Sequence, residues 1–198
     1  MLKMFSDMLI TALYAVVVQN LVFTASYGLS ESLRMAKRPK HYVMYGLSVT
    51  FFCFTTCLFC SLLCKIPAVS SADLKISYML FTLVLVIIYL ASAVFCKKVL
   101  SADKKFLNSL SMCAFNTLVI ALPGINLKAG FGVSASLALG TGAGLAFVFS
   151  MLLIRNGMKH INNNPNIPEF FKGTPALLIY VSLIALALSC FSGEALFL

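Results

Sequence analysis

Two asparagines in otherwise apolar stretches are the residues best placed to do chemistry in this chain. Asn20 follows Gln19 and precedes Gly28 by eight residues, and Asn116 precedes Gly124 by the same interval. Leu-Val comes shortly after each asparagine. An amide in an apolar environment is costly unless it finds hydrogen-bond partners. These amides therefore either join helices together or hold interrupted helices beside a cofactor or an ion path.

The spacing of the two motifs indicates an internal duplication. The asparagines lie 96 positions apart in a chain of 198 residues, as two halves of one duplicated unit would place them. Polar interruptions at corresponding positions of two halves are typical of functional sites near the middle of a membrane. The alternative is chance similarity between two apolar stretches.

Four cysteines form a second cluster, of a residue type suited to metal binding. They lie on one face of a helix, at positions 53, 57, 60 and 64. Eleven residues of helix rise by roughly 16 Å, whereas tetrahedral ligands each lie about 2.3 Å from one ion. One ion cannot use all four, and cysteine is also a small residue that buries readily. We predict a packing face and no metal site, with a site shared with another helix or subunit as the alternative.

The composition determines which elements must position these residues. A hydrophobic fraction of 61% and a charged fraction of 11% exclude an ordinary soluble domain, in which about a quarter of residues are charged. The fold class is therefore all-α, a polytopic membrane protein with a single membrane domain over 1–198. The basic residues behind the net charge of +9 come in short clusters between apolar segments. They indicate topology rather than a nucleic-acid surface, and we predict the lipid bilayer, not nucleic acid, as a partner.

The apolar runs predict six transmembrane helices, each about the 20 residues that span a bilayer. The first and fourth contain the asparagine motifs and are predicted to be broken, the fourth stopping at Pro123-Gly124. Small residues let helix backbones approach closely, so Gly140, Gly142 and Gly144 predict close packing of the fifth helix. The predicted helices are 8–29, 42–64, 76–95, 106–125, 133–154 and 174–191.

Lysine and arginine counts in alternate loops predict the orientation. Eleven lie in the segments 34–41, 97–105 and 155–172, against four at positions 3, 65, 75 and 128. The positive-inside rule then places both termini on the outer face. Three spans separate the two motifs, so the halves 1–100 and 101–198 are predicted to form an inverted repeat of three helices each.

Several motifs together resemble one known family over nearly the whole chain. It comprises the paired six-span membrane subunits of Rnf electron-transport complexes and of sodium-translocating NADH:quinone oxidoreductases, most closely the A-type and E-type subunits respectively. The similar segments are Gln19-Asn20-Leu-Val, Gly28-Leu29, Lys37-Arg38, Gly46-Leu47, Thr50-Phe51, Asn116, the glycines 142 to 144, and Pro168 to Gly173, which resembles the signature Pro-x-x-Phe-Lys-Gly.

The resemblance implies a membrane subunit of a redox-driven, ion-translocating complex in the bacterial cytoplasmic membrane. It also implies a paralogous six-span partner and further subunits. The family's two broken helices each present a cysteine, and two paralogues jointly hold a [2Fe-2S] cluster. Here Ser30 and Thr117 occupy those ligand positions, and Asn20 and Asn116 are further candidate cofactor-binding residues. Such clusters are held by thiolates, so the cluster is doubtful in this chain.

Three interpretations stay open. The chain is a non-catalytic or electron-relaying subunit whose Cys113, one helical turn before Thr117, approaches the ligand position, or it is a structural paralogue without the cluster. The third is a solute-binding subunit of the kind found in energy-coupling-factor vitamin transporters, which are also basic six-span proteins. The half-repeat and Phe171-Lys172-Gly173 favour the first two. No catalytic residue is predicted, and the ion or solute is left undetermined.

Overall fold

The fold consists of helices throughout the part of the chain that the structure describes. The computed structural model describes residues 2–37, 42–66, 69, 73–98 and 104–191. The predicted all-α class is confirmed, while Pro39, His41 and Glu194 lie outside the described residues. The helices are α1 (Leu2–Val17), α2 (Leu21–Thr24), α3 (Leu29–Ala36), α4 (Tyr42–Leu63), α5 (Leu74–Lys98), α6 (Lys104–Ala114), α7 (Thr117–Ala129), α8 (Val133–Asn163) and α9 (Thr174–Ser189).

Several of these helices can cross a membrane. Within the described residues four are long and apolar enough to do so, or five if the bent pair at the start of the chain is one span. The helix α9 is apolar but shorter, at 16 residues. This result is compatible with the predicted six spans, and the inverted repeat stays a prediction.

The first span is broken, as the Asn20 motif predicted. The segment Leu9–Thr24 and the helix Leu29–Ala36 meet at 91°. Gly28 lies at this corner with φ of +75°, a left-handed conformation that glycine adopts without the steric cost of a Cβ atom. The break therefore turns the chain sharply, and α3 leaves at nearly a right angle to the segment before it.

The fourth span is also interrupted, but at a different residue from the one predicted. The break lies at Phe115 and Asn116, between α6 and α7. The prediction that the helix stops at Pro123-Gly124 was wrong, because α7 continues through Pro123 to Ala129. Proline is tolerated inside membrane helices where neighbouring groups compensate for the lost backbone bond. The segment Phe106–Ala129 is still long and apolar enough to cross a membrane as one span, so this break is gentler than the first.

The helix α8 lies at the centre of the fold and packs against α4 on one side and α1 on another. Three of its glycines make this possible, since each backbone lies directly on a neighbour. A Cβ on Gly144 would lie 2.6 Å from Thr50 Cα, and one on Gly142 would lie 2.9 Å from the Ala12 carbonyl oxygen. The predicted close packing of the glycine-rich helix is confirmed.

The cysteine face of α4 belongs to this same packing. Cys53 and Cys57 are fully buried, and a Cβ on Gly140 would lie 3.0 Å from Cys57 Cβ. Cys60 is buried too, and its Sγ contacts the Pro123 carbonyl oxygen at 3.9 Å. In the described part of the chain, no three His, Cys, Asp or Glu side chains come close enough to share a metal ion. The face thus supplies small side chains that let α8 and α7 approach α4.

Candidate functional site at the two helix breaks

Asn20 holds the first break together from both sides. Its Oδ1 accepts hydrogen bonds from Val22 N at 3.1 Å and from Ser150 Oγ at 3.1 Å. Its Nδ2 donates to the Val16 carbonyl oxygen at 3.0 Å, in the last turn of α1. The amide is fully buried. It therefore caps α2, satisfies a free carbonyl of α1 and ties the break to α8.

Asn116 has the same local role at the second break. Its Oδ1 accepts from Leu118 N at 3.0 Å and so caps α7. The side chain is 1% exposed, yet its Nδ2 has no hydrogen-bond partner among the residues that the structure describes. Buried amide nitrogens are nearly always paired. The second motif therefore carries an unused donor, whereas in the first motif the corresponding amide is fully engaged.

The two motifs meet directly. Gly28 N donates to Thr117 Oγ1 at 2.8 Å, across 89 residues of sequence. A Cβ on Gly28 would lie 2.8 Å from Asn116 Oδ1 and 3.1 Å from Phe147 Cε2, so only glycine fits. The structure thus brings the glycine of the first motif against the Asn-Thr pair of the second.

An open groove lies beside this contact. Ser30, in the first turn of α3, is exposed and lines this groove. Phe115 forms part of the groove wall, and Thr117, two residues further along the chain, is also exposed. The groove has a volume of about 480 Å³. Its lining residues are Ser30, Glu31 and Arg34 from α3, Ser111 and Met112 from α6, and Phe115.

Cys113, also on α6, is not among the residues that line this groove. Its side chain is 1% exposed, and its Sγ donates to the Tyr45 carbonyl oxygen of α4 at 3.8 Å. Tyr45 in turn donates from its hydroxyl to the Met112 carbonyl oxygen at 3.2 Å. The thiol is therefore directed into the contact between α6 and α4, and its role in binding a cofactor stays a prediction.

The residues at the meeting point do not fit a thiolate-held iron-sulfur cluster. None of the groove-lining residues is a cysteine, and the Thr117 oxygen already accepts the Gly28 N–H. An ordinary Ser or Thr hydroxyl keeps its proton, whereas cluster ligands are thiolates. The arrangement instead offers hydroxyl and amide hydrogen-bond donors.

Three residues of this region were not predicted as part of a site. Ser150 is fully buried and donates a hydrogen bond to Asn20. It lies four residues after Ala146 and eight after Gly142, so it continues the small-residue face of α8. That pattern could have indicated its position at a helix contact. Arg34 lies in the segment 34–41, whose basic residues were counted only for topology, and Glu31 lies three residues before it. A charged pair three residues apart in a short helix after a break was the signal that they face a groove.

Comparison with known protein families identifies a match over most of the chain. A family model described as Rnf-Nqr subunit, membrane protein, matches residues 8–194 of the chain. No curated protein is matched. The match runs from α1 to beyond the end of α9 and so includes both helix breaks.

Proposed function

Because this chain belongs to the Rnf-Nqr family of membrane subunits, we propose that it is a subunit of a redox-driven, ion-translocating electron-transport complex in which it does not ligate the family's cluster. The proposal that this chain does not ligate the cluster is supported by the hydrogen bond from Gly28 N to Thr117 Oγ1. It joins the two cluster-ligand regions through a hydroxyl in place of a thiolate. The family match favours this proposal over the vitamin-transporter alternative.

In this proposal the chain has a structural role and does not itself transfer electrons. A hydroxyl group that stays protonated is a poor iron ligand, so electron transfer falls to the other subunits of the complex. What this chain supplies is a pair of interrupted helices held together at their breaks. We propose that this framework positions a partner that does carry redox groups.

The partner in this proposal is a paralogous six-span subunit that covers the groove. Ser30 and Thr117 are exposed, and Phe115 beside them is 42% exposed. Polar groups and broken helix ends inside a membrane are tolerated where protein or a water-filled cavity surrounds them. A second protein over this surface supplies that environment.

Cross-linking tests the partner. Ser30→Cys places a thiol in the groove, and Ser182→Cys places one on the exposed face of α9 as the matched control. We expect Ser30→Cys, and not Ser182→Cys, to cross-link to another multi-span protein in native membranes. Equal cross-linking from both positions would argue against a partner at the groove.

Iron and sulfide analysis tests the absence of a cluster. Because two paralogues hold the family's cluster jointly, the chain is analysed both alone and together with its partner. We expect the chain alone to contain no stoichiometric iron or sulfide, and Cys113→Ala to leave the iron and sulfide content of the pair unchanged. A stoichiometric cluster in the chain alone would overturn the proposal. If Cys113→Ala removed that cluster, Cys113 would be one of its ligands, and if the cluster survived, the ligands lie elsewhere.

We further propose that the chain lies in the bacterial cytoplasmic membrane with both termini outside. The support is the eleven-to-four distribution of basic residues between alternate loops. Cys190, exposed at the end of α9, and Cys96, partly exposed near the end of α5, lie in the regions predicted for the outer and inner faces. A membrane-impermeant maleimide should label Cys190 in intact cells and Cys96 only after permeabilisation. The reverse pattern would invert the orientation.

A further inference from the structure

Two of the cysteines form a close pair at the end of α4. Cys60 and Cys64 are four residues apart, and Cys64 N donates to the Cys60 carbonyl oxygen at 3.0 Å, so the helical register continues through Cys64. Residues four apart on a helix lie one above the other on the same face. The Cys60 thiol also forms a side-chain hydrogen bond with the Cys64 thiol. The two sulfur atoms are therefore neighbours.

The sulfur of Cys60 is held by polar groups of α7. It donates to the Pro123 carbonyl oxygen at 3.9 Å and has a side-chain hydrogen bond with Asn126. The Asn126 Oδ1 accepts from Ser136 Oγ at 2.7 Å, so its nitrogen is the group that donates to the sulfur. Asn126 and Ser136 are 3% and 0% exposed. A buried amide donor at a sulfur atom stabilises the thiolate, which a cysteine that only fills space does not need.

The pair also combines a protected thiol with an accessible one. Cys64 is partly exposed, and Cys60 is buried one turn before it. Cys53, Cys57 and Cys113 are buried as well, and none of them adjoins an exposed cysteine four residues away. A small ion can therefore reach Cys64 first and then bind Cys60.

The spacing of the pair suits a bridging metal ion better than a disulfide. The Cβ atoms of residues four apart on a helix lie about 5–6 Å from each other, whereas a disulfide needs about 3.5–4.5 Å. Forming that bond would unwind the end of α4. A metal ion in line between two sulfurs, with bonds of about 2.3 Å as in zinc thiolates, separates them by about 4.6 Å. That separation fits the helical spacing.

The number of ligands indicates which metal ion fits. Zinc in proteins takes four ligands, or three and a water molecule, and in the described part of the chain no third His, Cys, Asp or Glu lies close enough to this pair. Copper(I) and silver(I) are soft monovalent ions that prefer sulfur ligands, and two thiolates in line complete their coordination. The pair therefore favours a soft monovalent ion over zinc.

From these contacts we propose that Cys60 and Cys64 bind one copper(I) ion as a linear dithiolate. Two S–H protons pass to the solvent, two sulfur–metal bonds form, and the oxidation state of the metal does not change. The complex carries one negative charge, which the Asn126 N–H stabilises by its hydrogen bond to Cys60. The site uses only residues of this chain, goes beyond the proposed function and does not depend on it.

Silver(I) is the probe for the first experiment, because it stays monovalent without a reducing agent. The full chain is purified in detergent with Cys96→Ser and Cys190→Ser, which removes the remaining thiols that are not buried. We expect one silver ion per chain and the release of two protons per ion.

Four variants in this background locate the site. Cys60→Ser and Cys64→Ser should each lose stoichiometric binding. Asn126→Ala should weaken binding by about 10–100-fold, since it removes a hydrogen bond to a metal ligand. Cys53→Ser is the matched control, because Cys53 is buried on the same face of α4 two turns before Cys60, and it should bind silver normally.

A measurement on the unaltered chain does not depend on the folding of variants. One equivalent of copper(I), added without oxygen, should protect Cys64 from alkylation while the exposed Cys190 still reacts. The proposal is overturned if Cys64 is not protected, if only one proton is released per silver ion, or if Cys64→Ser binds silver as tightly as Cys53→Ser does. Stoichiometric zinc that displaces silver would also overturn it, because the site would then have more than two ligands.

Discussion

Gly144 provides a direct test of the packing that supports both breaks. It lies on α8 where that helix crosses α4, and Gly144→Ala would place a Cβ 2.6 Å from Thr50 Cα and 2.7 Å from Thr50 Cγ2. Non-bonded carbon atoms prefer a separation of about 3.5–4.0 Å. A change of rotamer cannot relieve contact with a backbone atom, so the two helices must separate by about 1 Å at this point.

The expected loss of stability combines two opposing effects. Overpacking a well-packed interior costs about 1–3 kcal/mol, and contact with a rigid backbone places this case at the upper end. Alanine gains about 1 kcal/mol over glycine in helix propensity. We therefore expect a net loss of about 2 kcal/mol, which raises the population of opened states roughly 30-fold.

Native cysteines report this opening. Cys57 is fully buried in the same interface, and Cys190 is exposed. Alkylation of Cys57, measured by mass spectrometry and normalised to Cys190, should accelerate roughly 30-fold in Gly144→Ala when opening is faster than labelling. Gly132→Ala is the control, because a Cβ there meets nothing within 4 Å.

Two results would refute the reasoning. One is an unchanged alkylation rate of Cys57 in Gly144→Ala. The other is full recovery on adding Thr50→Gly, which removes Thr50 Cγ2 and Cβ but leaves the nearest atom, Thr50 Cα, in place. Full recovery would mean that a side chain, and not the backbone, sets the spacing of α4 and α8.

Two further predictions concern the breaks, each measured by equilibrium unfolding in mild detergent. Asn20→Ala removes a helix cap, which costs about 1 kcal/mol, and leaves the Ser150 hydroxyl without its acceptor. Ser150→Ala removes one interhelical hydrogen bond worth about 0.6 kcal/mol. A larger loss of stability in Ser150→Ala than in Asn20→Ala would contradict the central role of Asn20. Gly28→Ala incurs left-handed strain of about 1–2 kcal/mol plus a clash with Asn116. Gly130→Ala shares the positive φ but meets nothing within 4 Å, so equal losses would show that the clash is absent.

The sequence predicted the local features of the site well. Asn20 and Asn116 were identified as interruptions because amides are expensive in an apolar run, and both cap a new helix. The glycines of α8 were expected to allow close helix contact, and they do. In each case the physical cause lies within a few residues of chain, so a local pattern was sufficient.

The tertiary features were beyond such reasoning. Pro123 was expected to end a helix by a local rule, but packing in the interior overrides that rule and α7 continues. The bond from Gly28 N to Thr117 Oγ1 spans 89 residues, and no periodicity specifies it. Arg34 lines a groove because of the direction that α3 takes after the 91° corner. Residue spacing alone does not determine that direction.

The contrast between Thr117 and Ser30 separates what the fold needs from what a ligand or partner needs. Without the Thr117 oxygen, the Gly28 N–H would lose its described acceptor, at a cost of several kcal/mol if no water reached it; a hydroxyl at position 117 is therefore explained by folding alone. Ser30 has no such task, since its side chain makes no hydrogen bond with the residues that the structure describes, and it lines an open groove. An apolar residue at position 30 would serve an ordinary lipid-facing helix better, so the polar group at this place is best explained by something that binds there.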